Sequence, residues 1–354
     1  MASKITNLLL TTLVISLGFG ALLRFEMMNV PIYLHDLLVV TILLINFKNL
    51  PQILKPFKVL RIFILGLFLS SLSALYLYPV SSLMIPSLYA LRLLSYLSLF
   101  FLLKGSKYQI PSSTFIISGL ITIVIGLVQY LLLPDMRWAQ YLGWDDHLNR
   151  LTLPHYDPTF TGVMLSLAMF SVIKNNIRFA PIFLLPILLT YARSVWLSLI
   201  VTTLSMFKSL KYLILALLIF TLAILALPDR FGEGTNLLRT YSINSRITSD
   251  IGYFKDYGWT LVVGRGLNTL ILEQTENMIP NHATGPNNSY LYLLSTTGII
   301  GLVGWGMFMK SLYKESNNKP LLTFFFIASL FNNVMFYPFA LLWILLSEST
   351  SDLV

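Results

Sequence analysis

The sequence predicts an all-α fold, a polytopic transmembrane bundle of about 11 helices (10–12), on three observations. Of its 354 residues, 56% are hydrophobic and only 11% charged, where a soluble domain carries about a quarter. Mean hydropathy is +0.75. Apolar runs approaching the ~20 residues that cross a hydrocarbon core recur along the whole chain. Together these exclude a water-soluble enzyme, a nucleic-acid binder and a disordered scaffold, so nucleic acid is not an expected partner. The chain has no cysteine and four histidines. Disulfides, thiolate metal sites and Cys nucleophiles are therefore ruled out, the redox compartment stays open, and a His-rich metal site is disfavoured.

In chain order the expected spans are 5–23, 30–47, 59–78, 81–103, 112–133, 158–173, 178–192, 194–207, 211–227, 287–309 and 320–347. Segment 5–23 is read as an anchor helix, because its apolar run is long and no small-x-small cleavage site follows. The short runs 178–192 and 194–207 read as tightly joined helices. Segment 320–347 contains Asn332, Asn333 and Pro338, which calls for two helices or a re-entrant turn. One membrane domain thus covers 1–354, with two long outer loops, 134–157 and 228–286.

The net charge of +9, from 24 Lys and Arg against 15 Asp and Glu, is read against the membrane. With Lys4 inside, the inner loops collect nearly all the lysines, which sets the orientation by the positive-inside rule. The outer loops collect arginines instead: Arg24, Arg137, Arg150, Arg193, Arg230, Arg239, Arg246 and Arg265. Lysine suffices to hold a loop against anionic lipid, whereas the planar guanidinium grips phosphate at two points. Ion pairing with the outer acids is the plainer account of the same arginines. No phosphate-binding Gly-rich loop ending in Lys-Ser/Thr occurs, so an ATP-driven transporter fits poorly.

Four outer stretches carry the polar chemistry. Asn287-Asn288-Ser289-Tyr290-Leu291 leads into a helix whose N-terminus offers free N–H groups, by capping or as an anion site. Gly298, Gly301 and Gly304 follow at three-residue spacing and are read as a face for close helix packing. Arg193 stands in Tyr191-Ala192-Arg193-Ser194, an ionisable group in an abrupt turn between apolar runs; snorkelling to the headgroups is its plainer role. Asn244-Ser245-Arg246 precedes Gly264-Arg265-Gly266, and Arg150 precedes Asp157-Pro158 at a helix start.

In this order the stretches resemble the O-antigen ligase and O-antigen polymerase superfamily of bacterial membrane glycosyltransferases. The resemblance covers about residues 150–305, a family-like catalytic region, and rests on Arg193-Ser194-Val195-Trp196-Leu197, Arg246, Gly264-Arg265-Gly266 and Asn287 to Leu291 with Gly298 to Gly301. Asp36 and the Asp157-Pro158 start also resemble family positions. The family's His stands as Asn287 here, which leaves the catalytic base open: His282, five residues upstream in the same loop, is the substitute on reach, and a solvated loop histidine is its plainer reading.

The resemblance implies a donor glycan on undecaprenyl diphosphate and an acceptor hydroxyl on another glycan or lipid-glycan, meeting at the outer face of a bacterial inner membrane. Transfer would be metal-independent and inverting, with no cofactor. Arg193 and Arg246 would take the diphosphate, with Arg239 and Arg265 as helpers, and His282 the acceptor proton. Asn288, Tyr290 and Arg150 are further substrate-binding candidates. No Asp-x-Asp occurs, and Asp145-Asp146-His147 reads as a solvated loop face. Asp36 and Arg92 are expected to pair within the bundle, structurally or functionally. Polymerase and ligase are not separable on these motifs, and a flippase for lipid-linked glycans is the alternative class.

Overall fold

The computed structural model describes residues 2–27, 30–49, 59–106, 108–173, 177–206, 257–273 and 285–349, with scattered positions between 214 and 253. The expected span 211–227 lies almost wholly outside them, as do His282, Arg239 and Arg246.

The described chain is helical, as its apolar runs require. The helices are α1 (Ala2–Leu17), α2 (Leu34–Ile45), α3 (Arg61–Leu77), α4 (Met84–Lys104), α5 (Ser112–Leu132), α6 (Pro158–Ile173), α7 (Ala180–Leu189), α8 (Arg193–Met206), α9 (Thr260–Val263), α10 (Ser289–Glu315), α11 (Lys319–Phe331) and α12 (Pro338–Ser349). Three segments, Val80–Lys104, Ser112–Leu132 and Ser289–Glu315, are long and apolar enough to cross a membrane. The other apolar helices run 10–17 residues. Ten residues rise about 15 Å, half a ~30 Å hydrocarbon core, so the expected span 178–192, realised as the ten-residue α7, is too short to cross alone.

Helix ends follow local chemistry. Asp157 precedes Pro158 and accepts from the Thr159 and Phe160 amides, capping α6, while proline at the first helical position gives up no needed donor. The Asn318 side chain accepts from the Leu321 amide to start α11. Residues 178–207 do form two joined helices, and 320–347 forms α11 and α12 with a break at 332–337.

One element differs from the expectation. Residues 30–33 are not the start of a helix but strand β2 (Val30–Tyr33), paired antiparallel with β1 (Arg24–Met27). Pro31 lacks the amide hydrogen that a helix interior needs, and a short edge strand tolerates that lack.

Helices α6 and α12 form the centre, buried along nearly their full lengths, and α3 lies across α10. A Cβ on Gly66 would fall 2.5 Å from Gly301 Cα, and one on Gly304 would fall 2.2 Å from Phe63 N. The packing role expected of Gly301 and Gly304 is thus met. Gly298 does something else: at φ 69° and ψ −178° it breaks α10. The carbonyls freed there are taken by the loop after α9, with Arg265 N donating to Ser295 O and Gly266 N to Thr296 O. On the outside, Phe68, Val124, Val128 and Leu131 are exposed. An apolar surface of this kind suits lipid rather than water.

Candidate functional site

A cavity of about 490 Å³ opens where the hairpin, α4, loop 134–157, the starts of α6 and α10 and the α11–α12 break converge. Both long loops singled out in the sequence contribute to it, through Trp144, Asp145 and Asp157 on one side and Asn268, Gly285 and Pro286 on the other. Its lining combines arginines (Arg24, Arg92), aromatic rings (Tyr33, Tyr89, Trp144, Tyr292, Tyr337) and amides (Asn287, Asn332, Asn333). Aromatic faces with a few placed polar groups fix the orientation of an amphiphilic ligand.

Loop 134–157 is tied down by backbone bonds from Met136 N to His147 O and from Asn149 N to Pro134 O. Its exit is held by Gln129, whose amide donates to Arg150 O and accepts from Thr152 N. Asn149 (φ 53°) and Tyr156 (φ 57°) adopt left-handed backbone, a conformation that non-glycine residues hold only where surrounding structure enforces it. The Tyr156 reversal sends His155 into the core while Asp157 faces the cavity. The ring of Tyr156 stacks on Trp144 at 5.4 Å.

The Asn287 to Leu291 stretch divides its labour residue by residue. Asn287 lines the cavity. Asn288 caps α10, its Oδ1 accepting from Tyr290 N at 2.8 Å and Leu291 N at 3.2 Å, so helix capping accounts for it. Ser289 donates to Asn332 O and accepts from Met335 N, binding α10 to the α11–α12 break. Tyr290 turns away from the cavity and donates to Phe326 O on α11; Tyr292 faces the cavity in its place. Two residues rotate the helix by about 200°, which puts the two tyrosines on opposite faces, and no pattern in the sequence told which of them looked inward.

The arginine candidates also separate. Arg150 is buried, and its guanidinium donates to Thr190 O and Tyr191 O. It braces the turn that presents Arg193 and is not among the residues lining the cavity. That turn carries another left-handed residue, Tyr191 at φ 50°. Arg193 opens α8, and the next residue, Ser194, accepts from Asn332 Nδ2 of the cavity wall at 2.9 Å. Arg265 is held by Glu273 at 2.8 Å, donates to Tyr78 OH, and lies 4.5 Å over the Tyr257 ring. With these partners it is a strut of loop 257–273 and does not line the cavity.

The cationic groups that do line the cavity are Arg24 and Arg92. The expected Asp36–Arg92 pair is present: Nη2 of Arg92 donates to Asp36 Oδ2 at 2.8 Å and to Pro31 O at 2.6 Å. Tyr96 OH donates to the other carboxylate oxygen at 2.6 Å. Arg92 was visible in the sequence as an ionisable residue in mid-span, the default mark of function; Arg24 gave no signal beyond its charge.

Asp145, His147 and Asp157 place one ligand atom each within 4.8 Å of one another. The sequence grouped Asp145 with Asp146 and His147; the fold substitutes Asp157 for Asp146. This is the set among the described residues whose chemistry suits a divalent cation.

His155 Nδ1 and Tyr337 OH are 2.8 Å apart, and a Cβ on Gly20 would fall 2.8 Å from the imidazole. Burial pushes the His155 pKa from 6.5 down to about 3. Below 6.5 the unfolded chain takes up a proton that the folded chain refuses. The stability His155 confers is whole above that pH and is lost progressively as pH falls toward 3. His155→Gln is expected to flatten the decline of melting temperature across that window in detergent solution. An unchanged slope would remove His155 from the acid response.

Compared with family models and with curated proteins, the chain shows no match.

Proposed function

We propose that this protein is a membrane glycosyltransferase of the O-antigen ligase or polymerase type. It moves or polymerises a glycan from an undecaprenyl-diphosphate donor onto a hydroxyl of an acceptor glycan or lipid-glycan, at the outer face of a bacterial inner membrane and within an approximately eleven-span bundle. The observation that carries this reading is the cavity, which brings guanidinium groups, aromatic faces and side-chain amides together in one amphiphilic site. Diphosphate asks for the first and sugar for the other two.

In this reading the acceptor hydroxyl oxygen attacks the anomeric carbon from the face opposite the leaving group. The bond from that carbon to the diphosphate oxygen breaks, and the diphosphate leaves with the electron pair. Inversion follows from the single displacement. The resemblance assigns the growing negative charge to Arg193 and Arg246, with Arg239 assisting; the arginines of the cavity wall itself are Arg24 and Arg92. Arg265 helps indirectly, by holding its loop. His282 takes the acceptor proton. Asn287 lines the cavity, and its amide positions the acceptor, since an amide does not exchange protons at neutral pH.

The test supplies purified protein with a lipid-diphosphate glycan. Chain growth with release of undecaprenyl diphosphate identifies a polymerase, and growth only on an added acceptor identifies a ligase. Arg193→Ala and Arg246→Ala should each abolish transfer while the protein stays folded; near-full activity in both would refute their assignment. Unchanged turnover in His282→Ala would move the base to a cavity carboxylate, with Asp157→Asn as the next variant. Chelation should leave the rate unchanged, and loss restored by Mg²⁺ or Mn²⁺ would shift charge stabilisation to Asp145, His147 and Asp157.

A flippase is the second reading, favoured by one observation. Helices are interrupted at Gly298, at 190–192 and at 332–337, and the last of these breaks lines one cavity with Arg92 of the part-buried Asp36–Arg92 pair, features shared with transporters. Lipid-linked glycan crossing proteoliposomes without any bond cleavage would select it.

A further inference from the structure

We propose that Arg24 and Arg92 form a two-guanidinium clamp for a diphosphate, in the cavity beside Tyr33. The clamp deepens the glycosyl-transfer reading and rests on it for the identity of the ligand as a lipid diphosphate; its geometry rests on the hairpin alone.

Arg24 and Tyr33 are direct cross-strand partners in the hairpin. Residues so paired project from the same face at about 5 Å. Arg92 reaches the same ring from α4, its Cζ 5.4 Å from the Tyr33 centroid and 4.9 Å from that of Tyr89. Both arginines therefore adjoin Tyr33 and line the cavity, Arg24 with its Cζ 5.9 Å over the Trp144 ring.

Each guanidinium is held at one nitrogen and open at the others. Arg92 uses Nη2 for both Pro31 O and Asp36. Arg24 uses Nη2 for Glu26 Oε1 at 2.6 Å. A guanidinium has five N–H donors, so Nε and Nη1 remain on both, and none of these has an acceptor among the described residues. Arg24 Nε is buried in that condition. A buried donor without an acceptor is costly, and an anionic oxygen is the acceptor that best matches a fixed guanidinium. Two such groups lining one cavity match the two phosphoryl groups of a diphosphate better than a single phosphate.

The probe is inorganic pyrophosphate, with orthophosphate beside it, titrated by calorimetry into the full chain in detergent at low salt. Wild type should bind pyrophosphate more tightly than orthophosphate. Arg24→Gln and Arg92→Lys should each weaken pyrophosphate at least about tenfold, since both remove fork-type donors. Arg92→Lys keeps a cation beside Asp36, and Arg24→Gln gives up a pair with the exposed Glu26 and a contact over the Trp144 ring while removing a buried donor that has no acceptor, so both should fold. Arg137→Gln, which alters a surface pair outside the cavity, should bind as wild type does. Equal affinity in wild type and both clamp variants overturns the clamp, and so does a wild type that binds no pyrophosphate. The two readings separate cleanly. Transfer by a protein whose pyrophosphate binding ignores both variants sinks the clamp alone, whereas variant-sensitive binding in a protein that transfers nothing upholds the clamp and sinks glycosyl transfer.

Discussion

Gly298→Ala is expected to destroy the folded state, whereas Gly306→Ala, eight residues further along the same helix, is expected to be neutral or mildly stabilising. Gly298 holds φ 69° and ψ −178°, a region that only glycine occupies without strain. A Cβ there would also fall 2.3 Å from Val262 O and 2.7 Å from Gly264 N. Both obstacles are backbone, so no side-chain rotation relieves them. Backbone strain and overpacking together cost about 3 kcal/mol or more, and the break that seats loop 263–266 would be lost with them. Gly306 is exposed and helical, with nothing within 4 Å of an added Cβ. Alanine there gains up to about 1 kcal/mol of helix propensity. Thermal melting with size-exclusion profiles in detergent measures the pair. A Gly298→Ala protein melting within about 2 °C of wild type would show that the break in α10 is dispensable.

Asp36→Ala is the second large effect. It leaves the Arg92 side chain, only 13% exposed, without its carboxylate, and removing one member of a buried pair costs about 3–5 kcal/mol. Replacing both partners by apolar residues, Asp36→Leu with Arg92→Met, should recover most of that loss, because no lone charge remains. The cycle distinguishes stability from binding. If the doubly replaced protein melts near wild type yet fails to take up pyrophosphate, the pair holds a ligand as well as the bundle. A double variant no more stable than Asp36→Ala would mean that Asp36 contributes chiefly through Tyr96 and the Tyr33 amide, its other two hydrogen-bond donors.

Helix positions were readable because crossing or lining a bilayer demands long apolar runs, and those runs survive in composition. The joined pair near 190 and the split at 332–337 were equally readable, since Asn332, Asn333 and Pro338 interrupt an apolar stretch that could not otherwise be broken. The hairpin was not. Four residues of alternating side chains before α2 look like the first turn of that helix until pairing with residues 24–27 is known.

The site was legible in its ingredients rather than its arrangement. The sequence alone determined an apolar helical chain, the two loops that carry its polar chemistry, and the stretches worth inspecting, because each of these is a property of consecutive residues. Only the tertiary structure decided that Asn288 caps while Asn287 faces the cavity, that Arg150 and Arg265 are braces, and that Gly298 breaks a helix its neighbours Gly301 and Gly304 pack. It also brought Arg24 and Arg92, 68 positions apart in the chain, to one cavity. The reason is physical: a side chain's role depends on which acceptor it meets across space, and that meeting is set by chain crossings that no local pattern encodes.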